Sequence, residues 1–377
     1  MEKIRMVDLA SQYHKIKKDV DSGISEVINN ASFINGPQVK QLQQELAEYM
    51  DVKHAVTCGN GTDALQIAMM ALGLKPGDEV ITSDFTFIAT VEVIALLGLK
   101  PVLVDVDPDN FMLDIEQVKQ QISPRTKAIV PVHLFGQAAN MEALMEIANK
   151  YNLYVIEDTA QAIGSEYTFS DGKKAKVGTI GHIGCTSFFP SKNLGCYGDG
   201  GALFTRDDEL GKKIRSIVNH GSQVKYHHDR IGVNSRLDTI QAAVLLAKLP
   251  HLDEYNAARI QAADRYDAAL SVHPDIQVPK RVSWSSHCFH QYTLRIKNGR
   301  RDALKAHLLE HDIPCAVYYP IPLHAQKAFE PFDHLPENFP ITSMLSEEVI
   351  SLPMHTELSE EQQTYITDTI LSFMETT

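Results

Sequence analysis

Three short stretches of this 377-residue chain carry polar residues suited to joint chemistry. In Cys58-Gly59-Asn60-Gly61-Thr62 an apolar run ends in glycines and passes into a segment of helical periodicity. The free N–H groups and dipole of such a helix start suit a phosphate, although a tight strand-to-helix turn uses the same residues for shape alone. It lacks the Gly-Lys-Ser/Thr of a Walker A loop and the third glycine of a dinucleotide fingerprint. Leu153-Tyr154-Val155-Ile156 delivers Glu157 and Asp158 to the end of a second apolar run. Asp158 there either caps the next helix or acts as a buried carboxylate, which needs a positive partner to stay ionised. In Thr186-Ser187-Phe188-Phe189-Pro190-Ser191-Lys192-Asn193-Leu194-Gly195, followed by Gly198-Asp199-Gly200-Gly201, a lone lysine sits between an apolar run and a glycine-rich turn. Most lysines are solvated; an apolar setting lowers the pKa and makes the amine a usable nucleophile.

The three ends supply a phosphate cradle, a carboxylate and an amine. Those are the parts that pyridoxal 5′-phosphate requires. Asp158 would keep the pyridine nitrogen protonated, since opposite charges in contact shift a pKa by about 1–3. The protonated ring is then an electron sink for the carbanion at the amino-bearing carbon.

The elements that must position these residues follow from periodicity. Leu9, Tyr13, Ile16, Val20, Ile24 and Val27 mark one face of an opening helix, and Val39, Leu42, Leu46 and Tyr49 a second. Apolar runs at 54–58, 79–82, 101–106, 127–134 and 153–157 alternate with helical segments at 62–73, 86–98 and 140–151, which predicts βαβ units and a parallel sheet covered on both faces. Ligands bind beyond the carboxyl ends of such strands, where Thr62, Asp158 and Lys192 lie. Strands at 183–189 and 201–205 and helices at 207–218, 237–249 and 252–271 continue the pattern. Beyond Pro279 we expect a strand at 289–296, a helix at 301–311, a strand at 315–319 and a last helix opened by the capping box Ser359-Glu360-Glu361-Gln362. This divides the chain into a large domain, 1–250, and a smaller α+β domain, 251–377.

Composition bounds the function. With 44% hydrophobic and 22% charged residues the chain is ordinary for a soluble globular protein. A net charge of −13 argues against nucleic acid, and the basic runs Lys15-Ile16-Lys17-Lys18 and Lys173-Lys174-Ala175-Lys176 read as solvated surface. Five cysteines without C-x-x-C suggest neither a disulfide framework nor a zinc ribbon. No stretch has the length of a membrane span, and the N-terminus lacks the apolar core of a signal peptide, so a cytoplasmic protein is expected. A metal hydrolase built on His227-His228-Asp229 is a rival, but there is no H-E-x-x-H and adjacent histidines project apart; no metal is expected.

Phe33-Ile34-Asn35-Gly36-Pro37, Gly59-Asn60-Gly61-Thr62-Asp63-Ala64-Leu65 and Tyr319-Pro320-Ile321-Pro322-Leu323-His324 frame three more specific motifs. These are Glu157-Asp158-Thr159-Ala160-Gln161, Pro190-Ser191-Lys192-Asn193-Leu194-Gly195 and Asn234-Ser235-Arg236-Leu237-Asp238. In them the chain resembles, over nearly its whole length, the DegT/DnrJ/EryC1/StrS family of pyridoxal-phosphate-dependent sugar aminotransferases. The resemblance implies the type I aminotransferase fold, an α/β mostly parallel sheet sandwiched by helices, and a homodimer with active sites shared between subunits. It implies Lys192 as the Schiff-base lysine, Asp158 on the pyridine nitrogen, Gln161 on the ring hydroxyl and Phe87 on the ring face. Gly61, Thr62 and Ser187 would hold the phosphate, joined by Asn234 of the neighbouring subunit. Relatives that remove a hydroxyl carry histidine in place of this lysine, so Lys192 favours transamination.

Ser187 to Lys192 and Lys225-Tyr226-His227-His228, followed by Gly232 to Arg236, are similar to enzymes that aminate C3 of UDP-2-acetamido-2-deoxy-3-oxo-glucuronic acid. That likeness implies glutamate as donor and a product for lipopolysaccharide. A dTDP-3-keto-6-deoxy sugar is the alternative acceptor, and a regulator without chemistry a further one, against which Lys192 and Asp158 together argue. A sugar carboxylate at C6 calls for a cation. Arg236 or His324 is the candidate, with Tyr319 as a further substrate residue, although Arg236 also suits a dimer-interface role.

Overall fold

The computed structural model describes residues 2–376 except Lys225 and Asp333. Its elements open with α1 (Leu9–Asn29), α2 (Pro37–Tyr49), β1 (His54–Cys58), α3 (Gly61–Leu72), β2 (Glu79–Ser83), α4 (Ala89–Leu96), β3 (Lys100–Val104), α5 (Ile115–Gln121) and β4 (Thr126–Val130). There follow α6 (Met141–Tyr151), β5 (Tyr154–Asp158), the short β6 (Glu166–Thr168) and β7 (Lys174–Lys176), β8 (Ile183–Ser187), β9 (Gly201–Thr205) and α7 (Asp208–Ile217). The hairpin β10 (Ser222–Val224) and β11 (His227–His228) precedes α8 (Thr239–Lys248) and α9 (Leu252–Leu270). The chain ends with β12 (Ile276–Gln277), β13 (Tyr292–Ile296), α10 (Arg301–Glu310), α11 (Pro340–Glu348), β14 (Val349–Leu352) and α12 (Glu360–Thr376).

Seven strands form the central sheet in the order β1-β9-β8-β5-β4-β2-β3. Strands β2, β3, β4, β5 and β8 run parallel, whereas β9 is reversed against both β8 and β1. Alternate residues of each strand feed opposite cores, as a strand's period of two requires. Val80, Ile156 and Leu203 pack with α3, α4 and α7. Ile81, Ile129 and Val155 pack with Val118 of α5 and Met141, Leu144 and Ile147 of α6. At the sheet edge Ala55, Ala202 and Phe204 meet α2 and α8, and α1 closes on α8 through Ile16, Val20 and Val244.

A separate antiparallel sheet, β12-β13-β14, shares a core with α9, α10 and α12. The capping box holds: Gln362 N donates to Ser359 Oγ at 3.1 Å and Ser359 N to Gln362 Oε1 at 3.0 Å. Between α10 and β14 the chain returns to the large sheet. There the buried Asp105 caps α11, accepting from Ile341 N and Thr342 N at 2.8 Å each and from Thr342 Oγ1 at 2.7 Å.

Three expectations change. Residues 315–319 form no strand; Ala316 makes one bridge to Ser351, and the segment runs on into the site. The strand expected over 127–134 ends at Val130, and the chain wraps the end of β5, with Asp158 N donating to Pro131 O at 2.9 Å and His133 N to Asp158 O at 3.0 Å. The helix expected from 86 begins at Ala89, leaving Thr86 and Phe87 in a turn beside β5. Among the described residues no helix is long and apolar enough to cross a membrane.

Candidate active site

A cavity of about 540 Å³ opens at the carboxyl ends of β1, β5 and β8, and Lys192, Asp158, Gln161, Ser187, Gly61 and Thr62 all line it. The sheet topology explains the convergence, because these ends lie on one edge of neighbouring or near-neighbouring strands.

At the first end, Asn60 caps α3 by accepting from Asp63 N at 2.8 Å. The first intrahelical bond is Ala64 N to Asn60 O at 3.1 Å, so Gly61 N and Thr62 N remain for an anion. Gly61 is required by contact: a Cβ there would stand 2.7 Å from Ser187 Cβ. This draws the helix start against β8 and gathers the Ser187 hydroxyl with the two N–H groups.

At the second end the two carboxylates divide. Glu157 is fully buried and consumed by structure, accepting from Gly178 N (2.8 Å), Ile180 N (2.7 Å), Gly181 N (2.6 Å) and His133 Nε2 (3.0 Å). Asp158, one residue on, points to the other face. Its Oδ2 accepts from Thr90 Oγ1 at 2.8 Å and Oδ1 from Ala160 N at 3.1 Å. Asp158 is thus held rigidly with lone pairs still turned to the cavity it lines. Thr90 was not legible in the sequence; its contribution depends on α4 docking over β5.

At the third end Lys192 N donates to Phe189 O at 2.8 Å. A Cβ at Gly195 would stand 2.3 Å from Pro190 O, so only glycine lets the loop fold back and present Lys192. Burial pushes the amine down to about 8, against the pull of the Asp158 carboxylate, which favours the charged form. Among the described residues Lys192 Nζ makes no hydrogen bond, unlike Lys248, which burial also pushes down to about 8 but which donates to Gly195 O at 2.8 Å.

Gln161 Oε1 accepts from Phe135 N at 2.7 Å, and its Nε2 donates to Tyr319 OH at 3.2 Å. Phe87, 54% exposed, lines the cavity with its ring 6.3 Å from that of Tyr319. Burial raises the Tyr319 phenol well above its usual range, which keeps it protonated.

Three predicted residues lie elsewhere in this chain. Asn234 is exposed and outside the cavity, though its neighbour Ser235 ties into the α3 start through Gly59 N (2.9 Å) and Asp63 Oδ2 (2.6 Å). Arg236 donates to Asn219 Oδ1 at 3.5 Å. His324 does not face the cavity. Its Nδ1 bonds Asp84 Oδ2 at 2.6 Å, its N–H donates to Asp84 Oδ1 at 2.7 Å, and its ring stacks on Phe339. The buried Asp84 needs that partner, so His324 is a locking residue here and the substrate role expected of it is withdrawn. His227 and His228 sit on the exposed β10–β11 hairpin, and Lys225 of that motif lies outside the described residues. Sequence reasoning missed His290, buried in the cavity wall.

The residues present fit pyridoxal phosphate. A glycine-opened helix start, a rigid carboxylate and an amine of lowered pKa meet in one cavity of ligand size. Fold and site define a pyridoxal-phosphate-dependent aminotransferase. The model of the DegT/DnrJ/EryC1/StrS aminotransferase family matches residues 14–371, and the chain belongs to that family.

Among its relatives are a UDP-2-acetamido-2-deoxy-3-oxo-D-glucuronate aminotransferase of Pseudomonas aeruginosa, 47% identical over 93% of this chain and 95% of that one, and a UDP-N-acetyl-3-dehydro-alpha-D-glucosamine 3-aminotransferase of Acidithiobacillus ferrooxidans, 46% identical over 95% of each. A pleiotropic regulatory protein of Geobacillus stearothermophilus is 47% identical over 98% of both chains. The S. venezuelae DesV structure, solved with a ketimine intermediate, superposes with a TM-score of 0.96 at 36% identity over 100% of both chains.

Proposed function

We propose that the protein transfers the amino group of glutamate to the C3 ketone of a UDP-linked 2-acetamido sugar, the 3-oxo-glucuronic acid first, as a cytoplasmic homodimer. The observation that carries the reading is the meeting of Lys192, Asp158 and the open start of α3 in one cavity. Residues 1–250 form the cofactor domain in this reading, and 251–377 a smaller one that sends Val317 to Pro320 back into the cavity.

Pyridoxal phosphate, when bound, supplies an electron sink and the site that carries the amino group from donor to acceptor. Gly61 N, Thr62 N and Ser187 Oγ hold its phosphate. Asp158, fixed by Thr90 and Ala160, keeps a proton on the ring nitrogen. Gln161 orients the ring through its hydroxyl and Phe87 covers one face. Lys192 Nζ, free of its own proton above about pH 8, takes a proton from the substrate's amino-bearing carbon and returns it. Incubation with glutamate alone, followed in the visible spectrum, tests the first half of the reaction. A colour change that an added nucleotide-linked 3-keto sugar reverses is the expected result.

Asn234 lies on the surface, which supports its service to a second subunit's site. Provided that Asn234→Ala alone is severely impaired, mixing it with Lys192→Ala subunits under exchanging conditions restores activity in half the sites of the heterodimer. Absence of rescue places Asn234 in its own subunit's site.

Removing His324 leaves Arg236, reaching across the same interface, as the candidate cation for a sugar carboxylate. The relatives name both a C6 acid and its 6-hydroxymethyl counterpart, so the comparison of these two acceptors decides. A site that buries a cation for the acid leaves it unpaired with the neutral sugar. We expect kcat/KM to fall by about 10²-fold or more with the neutral sugar. Equal constants move the assignment to the 2-acetamido glucose acceptor, and a clear preference for a dTDP-3-keto-6-deoxy sugar moves it to that class. The regulatory relative makes a regulator the second reading; turnover with any of these acceptors separates the two.

A further inference from the structure

Lys192 and one buried imidazole share a cavity wall, and one nitrogen of that imidazole has no hydrogen-bond partner among the described residues. His290 is 6% exposed and lines the cavity beside Lys192 and Gln161. Its Nδ1 is buried without a partner among the described residues. The backbone around it is fixed from both sides. His290 N donates to Phe135 O at 2.8 Å, and the buried Arg259 donates through Nη1 to Phe289 O (3.2 Å), His290 O (3.4 Å) and Met354 O (3.0 Å). An unmet buried nitrogen is unfavourable, and Lys192, in the same wall, is a donor near enough for its charge to act on the imidazole.

Several other acceptors of the wall already hold a donor within the protein. Asp158 takes Thr90 Oγ1 and Ala160 N, Gln161 Oε1 takes Phe135 N, Tyr319 OH takes Gln161 Nε2 and Ser187 Oγ takes Phe189 N. Among the described residues Thr86 Oγ1 is the wall's other buried atom without a partner. The charged and titratable groups facing Lys192 and His290 are Asp158 at the end of β5, Asp199 in the glycine-rich turn, Tyr318 and Tyr319 in the returning segment, and Arg259 of α9 behind the imidazole. Burial first, then the charges of Lys192 and Arg259, hold His290 well below its usual value. It is therefore neutral at neutral pH and keeps an acceptor nitrogen.

We propose that His290 is a positioning residue that accepts a hydrogen bond from the Lys192 ammonium when that amine is released from the cofactor. The proposal rests on the pyridoxal-phosphate reading of the site. Lysine's four-carbon stem lets the released amine swing along the wall, and a fixed neutral acceptor returns it to one place each turnover. A bond to the charged form favours that form, so losing His290 makes Lys192 less basic.

The test uses the full-length apoprotein, with competitive acetylation by acetic anhydride from pH 6 to 10 and mass-spectrometric quantitation of the Lys192 peptide. In the wild type the Lys192 midpoint is expected at about 8, where burial pushes the amine. With His290→Phe the midpoint falls by about one pH unit, the size of one bond to a charged group. His290→Gln, whose amide oxygen accepts, restores it, and Thr86→Val leaves it in place. His290→Leu serves should the phenylalanine variant not fold. An unmoved midpoint, or a rise toward 10.5 as in a loosened and wetter cavity, overturns the proposal. So does an equal fall with Thr86→Val. If borohydride fails to attach the cofactor to Lys192 in the wild type, the cofactor reading fails instead.

Discussion

Lys192→Ala abolishes turnover, lowering kcat by about 10⁴-fold or more, while the protein still takes up the cofactor non-covalently. Covalent attachment and proton transfer at the substrate carbon both depend on one amine, so a single truncation removes both. The proposed phosphate cradle at Gly61 and Thr62 and the Asp158 carboxylate are held by contacts that do not pass through Lys192, so retention of cofactor should survive. Borohydride reduction of the wild type should fix the cofactor to the peptide containing Lys192. Lys248 is the informative alternative. Its amine is pushed down to a similar value, yet it is 1% exposed and anchored to Gly195 O. Labelling there, or wild-type turnover in the alanine variant, overturns the assignment. A small primary alkylamine, entering the emptied space, should restore part of the rate with a pH dependence set by its own pKa.

The parts of the site legible in the sequence are those in which local pattern and chemistry coincide. Asp158 and Lys192 each terminate or follow an apolar strand, and strand ends of a parallel sheet share one edge. The direction of β9 was legible in principle, because the glycine-rich segment that separates it from β8 carries no helix and a parallel crossover usually does. Strand periodicity by itself carries no direction. The division of labour between Glu157 and Asp158 follows from the period of two, but which of them faces the cavity depends on where the loop at Gly178 to Gly181 supplies N–H groups. His324 illustrates the opposite failure. Its motif runs on from Tyr319, which does line the cavity, and only tertiary contact with the buried Asp84 turns the imidazole away. His290 stands on a strap just before β13, more than a hundred residues from its neighbour Phe135, and periodicity cannot report such a contact. β14 and α11 were missed for two different reasons. β14 is buried at every position and divided between two cores, Val349 in one and Ile350 in the other, so it lacks the alternation of a half-buried strand; α11 carries Ile341, Met344 and Leu345 at helical spacing, but over only 9 residues.

Asp158→Asn should bind the cofactor and retain the fold yet lose about 10²–10³-fold in kcat, the effect typical of removing one preorganised electrostatic group. The substitution is nearly isosteric, and an amide oxygen can still accept from Ala160 N, as Oδ1 does at 3.1 Å. The amide NH₂ then replaces Oδ2, the oxygen that takes the Thr90 hydroxyl at 2.8 Å. A group that donates cannot hold a proton on a pyridine nitrogen, and it favours the unprotonated ring instead. Cofactor affinity, which the proposed phosphate cradle would largely carry, should change far less than kcat. A cofactor methylated on the ring nitrogen carries a permanent positive charge and supplies what the variant lacks. It should raise the rate of Asp158→Asn relative to the natural cofactor, and it should not do so for Lys192→Ala. Thr90→Val, which leaves Oδ2 without its hydroxyl donor, should produce a smaller loss in the same direction, because the carboxylate remains but is less firmly aimed. Wild-type turnover in Asp158→Asn, or a loss that the methylated cofactor leaves untouched, would place the catalytic charge elsewhere and reduce Asp158 to a cap on the residues that follow β5.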